Sequence, residues 1–205
     1  MNWIKKDQEN KRKLLEILPP EIADLAKVTA PGSCYDSDYK FDGMLKTPYT
    51  GDIPLLYEIR TNSSKPGAIS FNVRDKERVK WTDTARPDLY IFAFNQGHTA
   101  WILSCDDMRD LVRGKFQLLS QYDMLTKYVW IYKKDLEEHA SIIICNGKEH
   151  VPDKPKYSVF PDTVDNAWKF LLYSSSRNEN PVKESIDKLN SIYNGLQSLK
   201  LVNCC

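Results

Sequence analysis

The chain has 205 residues, 41% hydrophobic and 28% charged, enough apolar material for one sizeable core in a single domain. Lys plus Arg number 29 against 28 Asp plus Glu, a net charge of +1 that excludes a strongly basic, non-specific nucleic-acid coat. A nucleic-acid enzyme with a local basic patch is not excluded, because such a patch matters more than the total.

In chain order, MNWIKKDQENKRK lacks the apolar stretch of a signal peptide, and no later apolar run approaches the length of a membrane span. Residues 3 to about 27 are expected to be helical. Ile4, Leu14, Leu15, Leu18, Ile22 and Leu25 form the apolar stripe, and Pro19-Pro20 divides it into two helices. The interleaved charges Lys5, Lys6, Lys11, Arg12, Lys13, Asp7 and Glu9 fit a solvated helix face better than a phosphate-binding one.

Pro31-Gly32-Ser33 marks a loop, after which Tyr39 to Thr61 reads as two strands joined by the turn Thr47 to Asp52. Asp42 lies on the first strand and Glu58 on the second. Their neighbours, Phe41 and the alternating Ile53, Leu55, Tyr57 and Ile59, set each carboxylate on the face opposite the packed side chains. Paired strands would bring the two acids together, and close carboxylates are costly unless a cation neutralises them. That is the outline of a divalent-metal site.

Ala68 to Val73 is a short strand or an extended entry into a charged helix at 74 to 85. Leu89 to Asn95 and His98 to Ser104, joined at Gln96-Gly97, form the clearest hairpin of the chain. A helix from Cys105-Asp106-Asp107 to about Gly114 follows, then short strands at Tyr128 to Lys133 and Ser141 to Cys145 around a helical turn at 134 to 139. Residues 146 to 161 are loop-rich, and helices at Thr163 to Ser174 and Val182 to Leu199 close the chain. This order predicts an α/β or α+β fold on one central mixed sheet flanked by helices. Residues 1 to 160 would form the core, and 161 to 205 a helical extension packed on it. Five scattered cysteines, Cys34, Cys105, Cys145, Cys204 and Cys205, suit free thiols in a reducing, intracellular compartment, cytoplasmic or nuclear. The terminal Cys204-Cys205 is also the form of some prenylated ends, but without a polybasic run an unmodified tail is expected.

The succession of helix, Asp42 strand, turn, Glu58-Ile59-Arg60 strand, helix and buried Pro87-Asp88-Leu89-Tyr90-Ile91-Phe92 strand resembles the PD-(D/E)XK nuclease superfamily, the restriction-endonuclease-like fold, from about Leu14 to Leu103. The resemblance implies a DNA endonuclease, with RNA not excluded, that depends on Mg²⁺ or Mn²⁺. Asp42 would match the first acid of the motif and Glu58 the second, and Glu16 or Glu21 the extra acid many members carry on an early helix. Asp42, Glu58 and the Ile59 carbonyl would hold the metal, a hard cation that takes oxygen ligands and keeps several waters. Arg60 stands where the family has Lys. An arginine stays charged and can clamp a phosphate, but it cannot hand over a proton as a buried lysine can. Lys46, four residues after Asp42, and Lys80 are the candidates for proton handling.

Arg74, Lys76, Arg78, Lys80 and Arg86 beside Trp81 offer a phosphate-backbone contact, set against a solvated helix paired internally with Asp75, Glu77 and Asp83. The bland reading of the acids is an exposed hairpin face, with Glu58 paired to a cross-strand Lys46. His98, His139 and His150 have no zinc-like spacing, and no glycine-rich phosphate loop is present. The last helix offers either a homodimer face or one more packing surface. A nuclease-like fold with a disabled site, acting as a nucleic-acid- or protein-binding module, is the alternative function.

Overall fold

The structure, a computed structural model, describes residues 9, 12–13, 15–28, 41–61, 67–72, 87–94, 98–120, 128–153 and 161–177. The apolar runs at its centre have no polar alternation because both of their faces are covered. In β5 (Leu89–Ala93) every residue is buried, and in β6 (Thr99–Ser104) all but the first. Leu89, Ile91, Ala93, Ala100 and Ile102 pack on one side with Trp168. Tyr90, Phe92, Trp101 and Leu103 pack on the other with Met108 and Leu111.

Around this pair runs a seven-stranded sheet in the order β1-β2-β3-β5-β6-β8-β9. Its other strands are β1 (Lys27–Val28), β2 (Gly43–Leu45), β3 (Leu55–Thr61), β8 (Ile142–Cys145) and β9 (Lys148–His150). All neighbours are antiparallel except β3 and β5, which run parallel with Glu58 opposite Tyr90. The fold is therefore α+β on a mixed sheet. The expectation of one sheet needs correction, because β4 (Ala68–Asn72) and β7 (Tyr128–Tyr132) pair with each other in a second, two-stranded antiparallel sheet. In β4, Ile69 and Phe71 are buried while Ser70 is exposed. A strand with one apolar face covers a core and cannot sit between two of them. Ile69, Phe71, Val129 and Ile131 accordingly roof the second cluster.

The first helix starts at a proline and the second at a serine cap. Pro20 opens α1 (Pro20–Ala23), whose Ile22 is fully buried against the first core. Ser104 caps α2 (Cys105–Ser120), its hydroxyl accepting from the Asp107 N–H at 3.0 Å and donating to the Asp107 carboxylate at 2.7 Å. The helix runs on to Ser120, past the Gly114 end read from the sequence, because Gly114 lacks only a side chain and still takes helical geometry. The short α3 (Lys133–His139) follows β7. In α4 (Val164–Arg177), Ala167, Trp168 and Leu171 are buried in the first core, so this helix is a wall of the domain. The region expected to be loop from 146 contains β9, reached through Asn146 (φ 50°) and Gly147 (φ 71°) in a two-residue turn. Asn-Gly is the strongest short hairpin signal, and it outweighs the prolines that follow. The expected helices at 74–85 and 182–199, with Arg74, Lys76, Arg78, Lys80 and Cys204-Cys205, lie outside the described residues. Among the described residues no helix is long and apolar enough to cross a membrane.

Candidate metal site on the β2–β3 pair

The expected hairpin is present: β2 pairs antiparallel with β3, Gly43 opposite Tyr57 and Leu45 opposite Leu55. Between them the Thr47–Thr50 turn closes on itself, with the Thr47 N–H donating to Thr50 Oγ1 at 3.0 Å and the Thr50 N–H to the Thr47 carbonyl at 3.1 Å. This rigid end sets the register that carries to the other end, where Asp42 and Glu58 lie.

Asp42 sits one residue before β2 and bonds to both neighbours of Glu58. Its N–H donates to the Tyr57 carbonyl at 2.8 Å, and its Oδ2 accepts the Ile59 N–H at 2.7 Å. The acids thus occupy adjoining places at one end of the strand pair. Both are buried, Asp42 being 5% and Glu58 8% exposed. The expectation of carboxylates on a free face is corrected here. Glu58 lies opposite Tyr90 and Arg60 opposite Phe92, two β5 residues of the second cluster, and the Arg60 guanidinium stacks over the Phe71 ring at 5.4 Å.

Arg60 lies 2.8 Å from the Glu58 carboxylate through one terminal nitrogen. Positions two apart on a strand share a face, so this contact follows from the spacing once the strand is formed. A buried carboxylate needs such a partner. Tyr90, opposite Glu58 on β5 and almost wholly buried, is held well above the ordinary phenol range, chiefly by burial. Nearby Cys105 and Glu58 push it the same way, while Arg60 and Arg109 oppose them. Tyr57 is raised in the same sense by burial and by Asp42.

Asp88, one residue before β5, is part of this framework. It is 2% exposed, and its Oδ2 accepts the Leu56 N–H at 2.9 Å. Its own N–H donates to the Leu56 carbonyl at 2.8 Å, and its carbonyl accepts the Cys105 N–H at 3.0 Å. Asp42 and Asp88 do equivalent work on opposite edges of β3, each taking one of its amides. An acid directly ahead of a buried apolar strand was the available signal.

The other candidates are placed elsewhere. Lys46 follows the end of β2 and pairs with Asp52 at 3.6 Å, not with Glu58. Four extended residues, about 13 Å, separate it from Asp42 along the strand. Glu21 is exposed on α1, which covers the Tyr57 and Ile59 face of β3, opposite Glu58. Its charge is felt by Glu149 and Tyr49. Glu16 pairs with Arg12 one helical turn away. Among the described residues no group of three or more His, Cys, Asp and Glu is gathered to hold an ion. Asp42 and Glu58 nevertheless present the oxygen donors that a hard divalent cation takes, with water completing its shell.

Comparison with protein families, curated proteins and solved structures gives no match for this chain.

Proposed function

We propose that the chain is a metal-dependent phosphodiesterase of the PD-(D/E)XK kind, an endonuclease acting on DNA more readily than RNA. The observation that carries this reading is the bonding of Asp42 to both residues that flank Glu58, which sets two buried acids at adjoining positions of the strand pair. The parallel placement of β5 beside β3, after an antiparallel β2–β3 pair, adds support from topology.

Asp42 and Glu58, with the Ile59 carbonyl, would hold Mg²⁺ or Mn²⁺, which when bound supplies charge neutralisation and an acidified water. Arg60 contributes a permanent positive charge for the scissile phosphate and its developing charge. It stays protonated and cannot act as a base, so proton removal falls to solvent. The basic residues Arg74, Lys76, Arg78 and Lys80 are assigned to the phosphate backbone. A single site per chain cuts a duplex either as a homodimer or by successive nicks.

A second reading, a nuclease-like binding module without activity, is favoured by the Glu58–Arg60 ion pair at 2.8 Å, which engages an oxygen that a metal would need. Incubation with supercoiled and single-stranded DNA, with and without Mg²⁺ or Mn²⁺, separates the two. Metal-dependent cleavage that disappears in Asp42→Ala and Glu58→Ala supports the enzyme. Binding without cleavage supports the module, and cleavage that survives both substitutions removes the site assignment.

A further inference from the structure

We infer that the outer face of the β4–β7 sheet is a stacking platform for single-stranded DNA, whose bases lie against Tyr128, Trp130 and Tyr132. The platform uses none of the residues of the acid pair and does not depend on the metal-site reading.

The pattern begins in the strand itself. In β7, YVWIY, aromatic and aliphatic residues alternate, and a pleated strand sends the two kinds to opposite faces. Val129 and Ile131 are fully buried and, with Ile69 and Phe71 of β4, close the second core. The three aromatic residues therefore occupy the other face, which a sheet covered on one side gives as a rule to polar side chains. Tyr128 is 50% exposed, and Trp130 and Tyr132 are partly exposed. Trp130 and Tyr132 also hold contacts within the protein, so each offers part of its ring.

Across the ladder the partners of these rings are small. Trp130 stands opposite Ser70, which is exposed, and Tyr132 opposite Ala68. Among the described residues no further strand extends this sheet. The rings thus follow one another along a shallow bed at intervals of about 7 Å, two residues of extended chain.

Aromatic rings presented in a row on a strand stack successive bases, and every base has a face to offer. A duplex, whose bases are already stacked on one another, cannot use such a surface. Charge points to the same partner. The Lys115 ammonium lies 5.6 Å from the centre of the Tyr132 ring, and the exposed Lys133 and Lys134 open α3 directly after it. Lys115 is also paired with Asp135 at 2.7 Å, and the exposed Glu137 and Glu138 come a turn later on α3. The cations are thus gathered at the Tyr132 end of the platform, where they meet the phosphates of a strand. A protein partner would want continuous apolar area at its centre, which Ser70 and the lysines interrupt.

The test is fluorescence anisotropy of a labelled oligothymidylate with the full chain, in EDTA so that neither cleavage nor metal binding contributes. Wild type should bind the strand and prefer it to a duplex of equal length. Trp130→Ala should weaken binding about tenfold, within the range for losing one stacked base, and Trp130→Phe should restore most of it. Tyr128→Ala, at the exposed start of the strand, should weaken it about fivefold. Circular dichroism checks the fold of each variant, and if Trp130→Ala does not fold, Tyr128→Ala decides. Absence of binding, a preference for duplex, or undiminished binding in the folded alanine variants overturns the inference and leaves the metal-site reading standing. Binding of an oligouridylate alone overturns the assignment to DNA. A concentration-dependent dimer that Tyr128→Ala dissociates gives the face to a second copy of the chain and overturns it as well.

Discussion

The Asp42 carboxylate accepts the Ile59 N–H at 2.7 Å, a bond between residues seventeen apart that completes the β2–β3 ladder beyond the last paired residues of β2. It gives Asp42 a structural duty that is separable from any part in metal binding. Asp42→Ala leaves a buried amide without its acceptor and should cost about 1–3 kcal/mol. Asp42→Asn keeps an acceptor oxygen and should cost less than about 1 kcal/mol, while both variants lose Mn²⁺ affinity. Urea unfolding beside metal titration checks the two effects in the same preparations.

Asp88 provides the matching control. It bonds to Leu56 as Asp42 bonds to Ile59, but it stands at the β5 edge of β3 and links that strand to the start of α2. Asp88→Ala should destabilise by about 1–3 kcal/mol and leave Mn²⁺ affinity unchanged once the protein is folded. A loss of metal affinity in folded Asp88→Ala would show that Asp88 belongs to the site.

Glu149 on β9 should make stability depend on pH. Burial raises its pKa, the Trp168 N–H that it accepts at 2.5 Å lowers it in part, and Glu21 raises it again. The folded state therefore holds this proton more tightly than the unfolded chain. The contribution is present in full below the unfolded-state pKa and is lost as pH rises through the higher folded-state value. Glu149→Gln retains an acceptor for Trp168 and removes the titration. At neutral pH it should be at least as stable as wild type, and the decline in stability above about pH 4 should flatten. Chemical denaturation at a series of pH values measures that slope.

Trp168 tests whether α4 is part of the domain. Its ring is fully buried among residues that include Ile102 and Ile144, and its N–H reaches Glu149. Trp168→Ala should cost about 3–5 kcal/mol, the range for removing a large buried ring. A helix merely resting on a complete core would lose far less, as thermal unfolding of the variant would show.

Much of the framework was legible in the residues, for identifiable reasons. The β5–β6 hairpin is written in LYIFA and TAWILS, runs too apolar and β-branched for a loop and too short for a buried helix. The β2–β3 pair follows from alternation on β3 and the Thr-Pro-Tyr-Thr-Gly turn. The helix break follows from Pro19-Pro20, α2 from its Cys105-Asp106-Asp107 start and α4 from apolar spacing, and Ser104 and Asn146-Gly147 are further local signals. These are local signals, and each acts within a few residues.

The sequence by itself determined the central strands β2, β3, β5 and β6, the placing of Asp42 and Glu58 at one end of a strand pair, and the shared face of Glu58 and Arg60, because pleat and pairing depend on short-range pattern. Only the tertiary structure decided what surrounds them. The burial of Glu58, the stacking of Arg60 on Phe71, and the bond from Asp88 to Leu56, 32 residues away, all depend on segments distant in the chain. Burial is a property of that assembly and carries no local signature. It turns an acid that would be solvated on an open hairpin into one that must be paired, by Arg60 or by a metal.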